Sequence, residues 1–269
     1  MLAGLSPARR RLVVTVLALV VVAVLATGAA LLLGRPSGAA GREPVSQETP
    51  GPVLLVPGYG GSTASLQQLA DRLTAEGRDA TVVDVPGDGT GDLGESADAL
   101  AEAADAALER TGAESVDVVG YSAGGVIARL WAADGGAAVA RRIVTLGSPH
   151  HGTTLADVAG QVAPEQCPEA CRQLATASPL LTRLNADDET PEGPVWISIW
   201  TAQDQTVTPP DSARLEGAVN VPVQSLCPGV QVGHGDLPSD PVVQGLVLAE
   251  LRPGGPARLT AADCSRADG

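Results

Sequence analysis

One stretch constrains this chain more than any other: Val116-Asp117-Val118-Val119, then Gly120-Tyr121-Ser122-Ala123-Gly124-Gly125, then Val126-Ile127-Ala128-Arg129-Leu130. It reads as a short apolar run, a Gly-x-Ser-x-Gly turn and a helical segment. A serine hydroxyl attacks poorly unless it is held away from its own backbone and close to a base. A sharp strand-to-helix turn achieves that, and it leaves no space for side chains beside the serine. Gly120 and Gly124 give the room, and the helix that follows aims free N–H groups at the serine. The motif alone is weak evidence in a chain with 32 glycines. The β-type residues before it and the apolar helical pattern after it are the context that gives it meaning.

The order of elements around this turn predicts an α/β fold. Val53–Val56 is a continuous apolar run, as for a strand buried on both faces. Pro57-Gly58-Tyr59-Gly60-Gly61-Ser62 turns the chain, and Leu66, Leu69, Ala70 and Leu73 recur at helical spacing. Thr81–Val85 is the next expected strand and Ala97–Leu108 an alanine-rich helix ended by Gly112. After the Ser122 turn, Arg142–Leu146 is a strand closed by Gly147-Ser148-Pro149-His150-His151-Gly152. Residues 153–194 break the alternation, with several prolines and the pair Cys167 and Cys171, and read as an insertion over the top of the sheet. Val195–Trp200 restarts the sheet, Ala218–Leu226 is the last expected strand, and Val242, Val243, Leu246, Val247 and Leu251 face a closing helix. Such alternation implies a mainly parallel central sheet with helices on both faces.

The N-terminal end carries a different signal. Arg9-Arg10-Arg11 precedes a 22-residue apolar run from Leu12 to Leu33. That length suits a transmembrane helix, and the arginines place its start in the cytoplasm. A cleaved signal peptide competes, with Gly38-Ala39-Ala40 or Ala26-Thr27-Gly28 as cleavage sites. The length favours a retained anchor, and no cysteine near the run supports a lipoprotein. The expected organisation is therefore 1–33 as basic end and anchor or signal, 34–51 as flexible linker, and 52–269 as one catalytic domain. The domain would lie outside the cytoplasm, anchored or released, and is expected to be a monomer. Four cysteines behind an exporting end suggest two disulfides, expected as Cys167–Cys171 and Cys227–Cys264, although four cysteines allow three pairings. One close cysteine pair and three histidines do not make a metal site. A net charge of −14, with arginine as the sole basic side chain besides histidine, argues against a nucleic-acid partner.

A serine nucleophile needs a histidine base, and the histidine needs a carboxylate that fixes its tautomer. His150 and His151 stand in the loop just after the strand that follows the serine, ahead of every candidate acid, and read as loop packing at the rim of the site. His234 lies after the last expected strand and before the final helix. Asp204 follows the strand Val195–Trp200, at an end where ligands meet a parallel sheet. Asp211 is its rival, behind Pro209-Pro210, and Asp236 is too near His234 in sequence. Ser122, Asp204 and His234 then stand in the order nucleophile, acid, base. Ala123 N–H and Tyr59 N–H are the expected oxyanion donors.

Taken together, Val56-Pro57-Gly58-Tyr59-Gly60-Gly61, the Gly120–Gly125 turn, Leu146-Gly147-Ser148-Pro149-His150-His151-Gly152-Thr153, Asp204-Gln205-Thr206-Val207 and His234 resemble the small secreted bacterial lipases and esterases of the class 2 lipase family. The resemblance covers about residues 52–251. It implies an α/β-hydrolase fold, hydrolysis of carboxylic esters of lipids through an acyl-enzyme, and no cofactor or metal. Pro57-Gly58 stands where the family has His-Gly, so no side chain of that first residue can take part. An acyltransferase or a thioesterase with the same triad, or an anchored binding module, are the alternatives.

Overall fold

The structure is a computed structural model and describes residues 45–264. The anchor or signal at 1–33 falls outside the described residues. Among those described, no helix is long and apolar enough to cross a membrane.

Six strands build one sheet: β1 (Val53–Val56), β2 (Ala80–Val82), β3 (Val116–Tyr121), β4 (Ala140–Leu146), β5 (Val195–Trp200) and β6 (Val219–Pro222), in the order β2-β1-β3-β4-β5-β6. Every neighbouring pair is parallel. The helices of eight residues or more are α1 (Ala64–Ala75), α2 (Leu93–Thr111), α3 (Ala123–Ala133), α4 (Thr154–Val162) and, at the end, Pro241–Glu250. Between α4 and that last helix come the short α5 (Glu169–Gln173), α6 (Pro179–Leu184) and α7 (Val223–Leu226), which makes Pro241–Glu250 α8.

Period-2 alternation sends successive strand residues to opposite faces, and both faces are covered. Leu54, Val56, Val116, Val118 and Ile143 pack with Leu100 and Ala104 of α2 and Val126, Ile127 and Trp131 of α3. Val53, Leu55, Val119, Val144 and Ile197 pack on the other side with Leu66, Leu69 and Leu73 of α1 and Val243, Leu246 and Val247 of α8. Strands that are apolar on both sides are therefore required, and the sequence has them. With no phenylalanine, the bulk comes from aliphatic residues and from Trp131, Trp196 and Trp200, all buried.

Several boundaries differ from the sequence expectation. Helix α2 begins at Leu93, not Ala97, because the Asp92 side chain accepts from Gly94 N–H at 2.6 Å and caps it. Strand β2 is a three-residue edge strand, shorter than the expected Thr81–Val85, although Val83 N–H still reaches Leu55 O at 2.8 Å. The expected strand Ala218–Leu226 stops at Pro222, and Val223–Leu226 forms the single turn of α7. Proline offers no N–H to extend the ladder, which accounts for the stop.

The N-terminal edge of the sheet holds a buried ionic cluster. Asp117, near the start of β3, accepts from Arg78 Nη2 and Arg141 Nη2 at 2.6 Å each. Arg141 is fully buried and also donates to the carbonyls of Gln47, Leu251 and Arg252. Arg142 reaches the carbonyls of Gly254 and Gly255. Lysine could not do this. A planar guanidinium spreads several donors in a fixed fork, so one side chain ties several carbonyls at once. The residues just before β1 and just after α8 are thereby fastened to the base of the sheet, so Gln47, within the expected linker, is docked.

Removing Asp117 would leave the buried Arg141 guanidinium and the partly exposed Arg78 without their anion. Asp117→Ala should lower the free energy of unfolding by about 3–5 kcal/mol, the range for breaking one side of a buried pair. Urea denaturation read by circular dichroism checks this, and a change well under that range would show that the arginines are satisfied by carbonyls alone.

Candidate active site

The C-terminal edge of the sheet gathers the residues singled out from sequence. Ser122 sits between β3 and α3 with φ 54° and ψ −123°, and it is the non-glycine residue with positive φ among those described. That conformation is strained and persists only where the surroundings enforce it. Here they do, by crowding. A Cβ on Gly124 would stand 2.2 Å from Val56 O, and one on Gly120 would stand 2.5 Å from Gly124 O. Helix α3 can thus lie directly over the ends of β1 and β3 only because these two positions carry no side chain.

His234 Nε2 lies 3.0 Å from Ser122 Oγ, and His234 Nδ1 lies 2.7 Å from Asp204 Oδ2. An ionised carboxylate only accepts, so Nδ1 carries the hydrogen and Nε2 presents its lone pair to the serine hydroxyl. Asp204 is buried, and its other oxygen, Oδ1, accepts from Thr206 N–H and Val207 N–H at 2.8 Å each. The Asp204-Gln-Thr-Val turn therefore aims one oxygen at the imidazole by holding the other. Asp211 is exposed, in a 3₁₀ turn at Pro210–Ala213, and is not part of this chain of bonds. Asp236 is exposed as well, one turn beyond His234.

Two further residues pack around His234, and the sequence assigns a role to neither. Gly147, at the end of β4, comes so close that an added Cβ would be 3.2 Å from His234 Nδ1 and 3.3 Å from Asp204 Oδ2. Tyr121 donates its hydroxyl to His234 O at 3.2 Å, and its ring lies 5.3 Å from the imidazole, tilted by 34°. Burial, with the carboxylates of Asp204 and Asp236, pushes the Tyr121 phenol up to about 12, so it remains a donor at any ordinary pH. The tyrosine inside the Gly-x-Ser-x-Gly turn was visible in the sequence, but its partner, a backbone carbonyl, left no signal there.

Tyr59 and Ala123, whose amides are the expected oxyanion donors, belong to the loop after β1 and to the start of α3. The loop after β1 lies against the serine: a Cβ on Gly58 would stand 2.9 Å from Ser122 Cβ. Gly60 N–H donates to Gly89 O and Gly61 N–H to Gly58 O, which pins the turn. Tyr59 N–H and Ala123 N–H have no acceptor among the described residues. Ala123 is the first residue of α3, where an amide lacks an intrahelical partner.

Beside Ser122 opens a cleft of about 280 Å³. Tyr59, Pro149, Leu155, Ala156, Leu174 and Val207 are among its lining, and the wall is almost wholly apolar. The insertion 153–194 forms much of this wall. It is fastened by Arg129 of α3, which is buried and donates to Glu189 O, Asn185 Oδ1 and Leu184 O. Burial lowers the Arg129 guanidinium to about 10, which still leaves it charged at neutral pH. The two disulfides are Cys167–Cys171, inside the insertion, and Cys227–Cys264, joining the end of α7 to the C-terminal tail. Among the described residues, no three His, Cys, Asp or Glu side chains gather as metal ligands would.

His150 and His151 separate in the fold. His151 is exposed, with Nε2 2.7 Å from Glu189 Oε1. His150 is not at the rim but fully buried beneath the loop, with Nε2 3.1 Å from Thr145 Oγ1. Thr145 donates onward to Ser198 Oγ, and Ser198 to Ala213 O, so the imidazole N–H begins a chain across β4 and β5. Burial, with Arg129 and His151 nearby, holds His150 well below the ordinary imidazole value of 6.5.

Residues 51–166 match the family described as alpha/beta hydrolase fold. No curated protein matches the chain. Among solved structures, it is similar to Aspergillus fumigatus lipase B, with 19% identity and a TM-score of 0.66 over 81% of this chain and 57% of that one. It is similar also to Bacillus licheniformis lipase BlEst2: in the propeptide form at 20% identity, TM-score 0.63, over 81% of this chain and 54% of that one. In the mature form the figures are 20%, 0.53, 69% and 86%. The chain thus spans little more than half the length of the fungal lipase and of the propeptide form.

The placement of His150 gives a pH prediction. A buried neutral histidine lends stability that is full above the unfolded value and is lost as pH falls below it. The loss reaches about 1.4 kcal/mol for each pH unit. His150→Asn should therefore flatten the fall of the melting temperature between about pH 7 and pH 5. Equal slopes for variant and parent, read by calorimetry, would mean that His150 already titrates near its ordinary value. Parallel strands in the order β2-β1-β3-β4-β5-β6, helices on both faces and a Gly-x-Ser-x-Gly turn at their C-terminal edge, with the family match over 51–166, give this chain an alpha/beta hydrolase fold.

Proposed function

We propose that the protein is a serine hydrolase that cleaves carboxylic esters of lipids, with Ser122 as nucleophile, His234 as base and Asp204 as the acid that orients it. The observation that carries this reading is the hydrogen-bonded line from Ser122 Oγ through His234 to Asp204, next to two amides without acceptors. A catalytic base must be within hydrogen-bond reach of the proton it takes, and a nucleophile must be within reach of its base.

In the proposed cycle, Ser122 Oγ attacks the ester carbonyl carbon as its proton passes to His234 Nε2. The carbonyl oxygen becomes an oxyanion between Tyr59 N–H and Ala123 N–H. The C–O bond to the alcohol then breaks, and the proton on Nε2 goes to the departing oxygen. Water repeats the sequence on the acyl-enzyme and releases the acid and free Ser122. Asp204 stays ionised throughout and stabilises the imidazolium. The apolar cleft beside Ser122 favours a substrate with an aliphatic part. The two disulfides favour an oxidising compartment outside the cytoplasm, in line with the exporting character of the N-terminal sequence.

A fluorophosphonate probe should label the protein and fail to label Ser122→Ala. That variant should lose nearly all ester hydrolysis with an unchanged melting temperature. Asp204→Asn should reduce kcat by up to roughly 10⁴-fold, the size found for the equivalent change in the serine-protease triad, while Asp211→Asn changes it little. Loss of activity in Asp211→Asn with Asp204→Asn unaffected would overturn the assignment of the acid. Product analysis with an added alcohol separates hydrolysis from acyl transfer: a new ester in place of the free acid would mark a transferase.

A further inference from the structure

Asp204 is held by a peptide group, and that peptide group is itself held from behind. The Thr206–Val207 peptide sends its N–H to Asp204 Oδ1 at 2.8 Å. Its carbonyl points the opposite way, as in any trans peptide. There it accepts the hydroxyl of Thr153 at 2.7 Å.

Thr153 belongs to a different loop from the acid. It stands just before α4, where the insertion 153–194 begins, and it is buried. A hydroxyl has one proton and two lone pairs. The Thr206 carbonyl can only accept, so it takes the proton. The lone pairs receive Thr208 N–H at 3.0 Å and Leu155 N–H at 3.3 Å. One side chain thus caps α4 and closes the Thr206–Thr208 turn on the face away from the carboxylate. Nearby backbone bonds keep the two segments together: Thr154 N–H donates to Thr208 O at 2.9 Å and His151 N–H to Ser212 O at 3.2 Å.

The result is a continuous line of hydrogen bonds. Thr153 Oγ1 donates to Thr206 O, and Val207 N–H to Asp204 Oδ1. His234 Nδ1–H donates to Asp204 Oδ2, and Ser122 Oγ–H to His234 Nε2. Bonds at the two ends of one peptide polarise each other, so the hydroxyl on Thr206 O makes Val207 N–H a stronger donor to the carboxylate. Asp204 has to stay ionised and in place while the imidazole gains its charge. What fixes its far oxygen therefore also fixes the base.

Resting on the ester-hydrolase reading above, we propose that Thr153 is a positioning residue for the reaction: through the Thr206–Val207 peptide, its hydroxyl holds Asp204 in line with His234. Thr153 acts through the acid and takes no part in proton transfer.

The test measures kcat and KM of the full chain on a 4-nitrophenyl ester. Thr153→Val removes the hydroxyl and keeps the branched shape. It should lower kcat by roughly five- to tenfold, the worth of one hydrogen bond, and change KM by less than about twofold. Thr153→Ser keeps the hydroxyl and should recover most of kcat. Thr154→Val removes the neighbouring hydroxyl, which bonds Thr208 Oγ1 at 2.7 Å, and should leave kcat where it is. The deciding arm repeats Thr153→Val in Asp204→Asn. With the role of the acid already lost, removing the hydroxyl should cost less than about twofold more. A merely loosened α4 would cost the same factor in both backgrounds. If valine crowds the Thr206 carbonyl and that variant does not fold, Thr153→Ala removes the hydroxyl with less bulk and takes its place in every arm. Unchanged kcat in the folded variant, no recovery by serine, or equal losses with and without the Asp204 carboxylate would overturn the positioning role of Thr153 and leave the triad standing. A parent that neither takes the fluorophosphonate nor cleaves esters would overturn the hydrolase reading beneath it.

Discussion

The structure depends on one close contact, the crossing of α3 over the ends of β1 and β3. Gly124 approaches the Val56 carbonyl so nearly that no side chain could stand between them. This contact forces Ser122 into its positive-φ conformation and lifts its hydroxyl off the sheet. It also brings the loop after β1 against the serine, and with it the Tyr59 amide. Strain at one residue is tolerated because two buried layers fix the helix and the strands on either side of it. The other partners then come to the serine at the same edge: Gly147 from the end of β4, Asp204 after β5 and His234 in the last loop.

Much of this was legible in the sequence because it is local. Gly120, Ser122 and Gly124 sit in one turn, and their spacing carries their geometry. The order of strands and helices follows from continuous apolar runs alternating with helical spacing, and it places Asp204 and His234 at the same edge as Ser122. What was not legible is held by contacts between distant residues. The fork of Arg129 joins α3 to carbonyls some sixty positions away, and only one of its three acceptors is a side chain. Asp117 reads as one polar residue in an apolar strand until Arg78 and Arg141 are seen around it. His150 is indistinguishable from His151 in sequence, yet one is buried and the other is exposed. The start of α2 is not legible because glycine at position 94 argues against a helix, while the Asp92 cap and Gln173 from the insertion stabilise it.

Polar groups are used differently at the two edges of the sheet. At the C-terminal edge they are left partly free: two amides lack acceptors, and His234 presents a lone pair to a hydroxyl. At the N-terminal edge they are consumed, as guanidinium groups spend their donors on a carboxylate and on carbonyls of both flanking segments. A site needs unsatisfied donors in a fixed place, and fixing them requires that the rest of the scaffold have few. The arginine-only basic composition fits this division, since the forks that lock the base could not be replaced by point charges.

The docking of Gln47 has a mechanical consequence. Gln47 and Gly254 are hydrogen-bonded to each other and to the Arg141 region, at the edge of the sheet opposite Ser122. A pull applied at residue 45 loads these bonds, and through them the base of the central strands. The line from Ser122 to Asp204 lies outside that load path. A tether fixed at this point, to a surface, a bead or another protein, would therefore strain the base and leave the cleft and its wall undistorted.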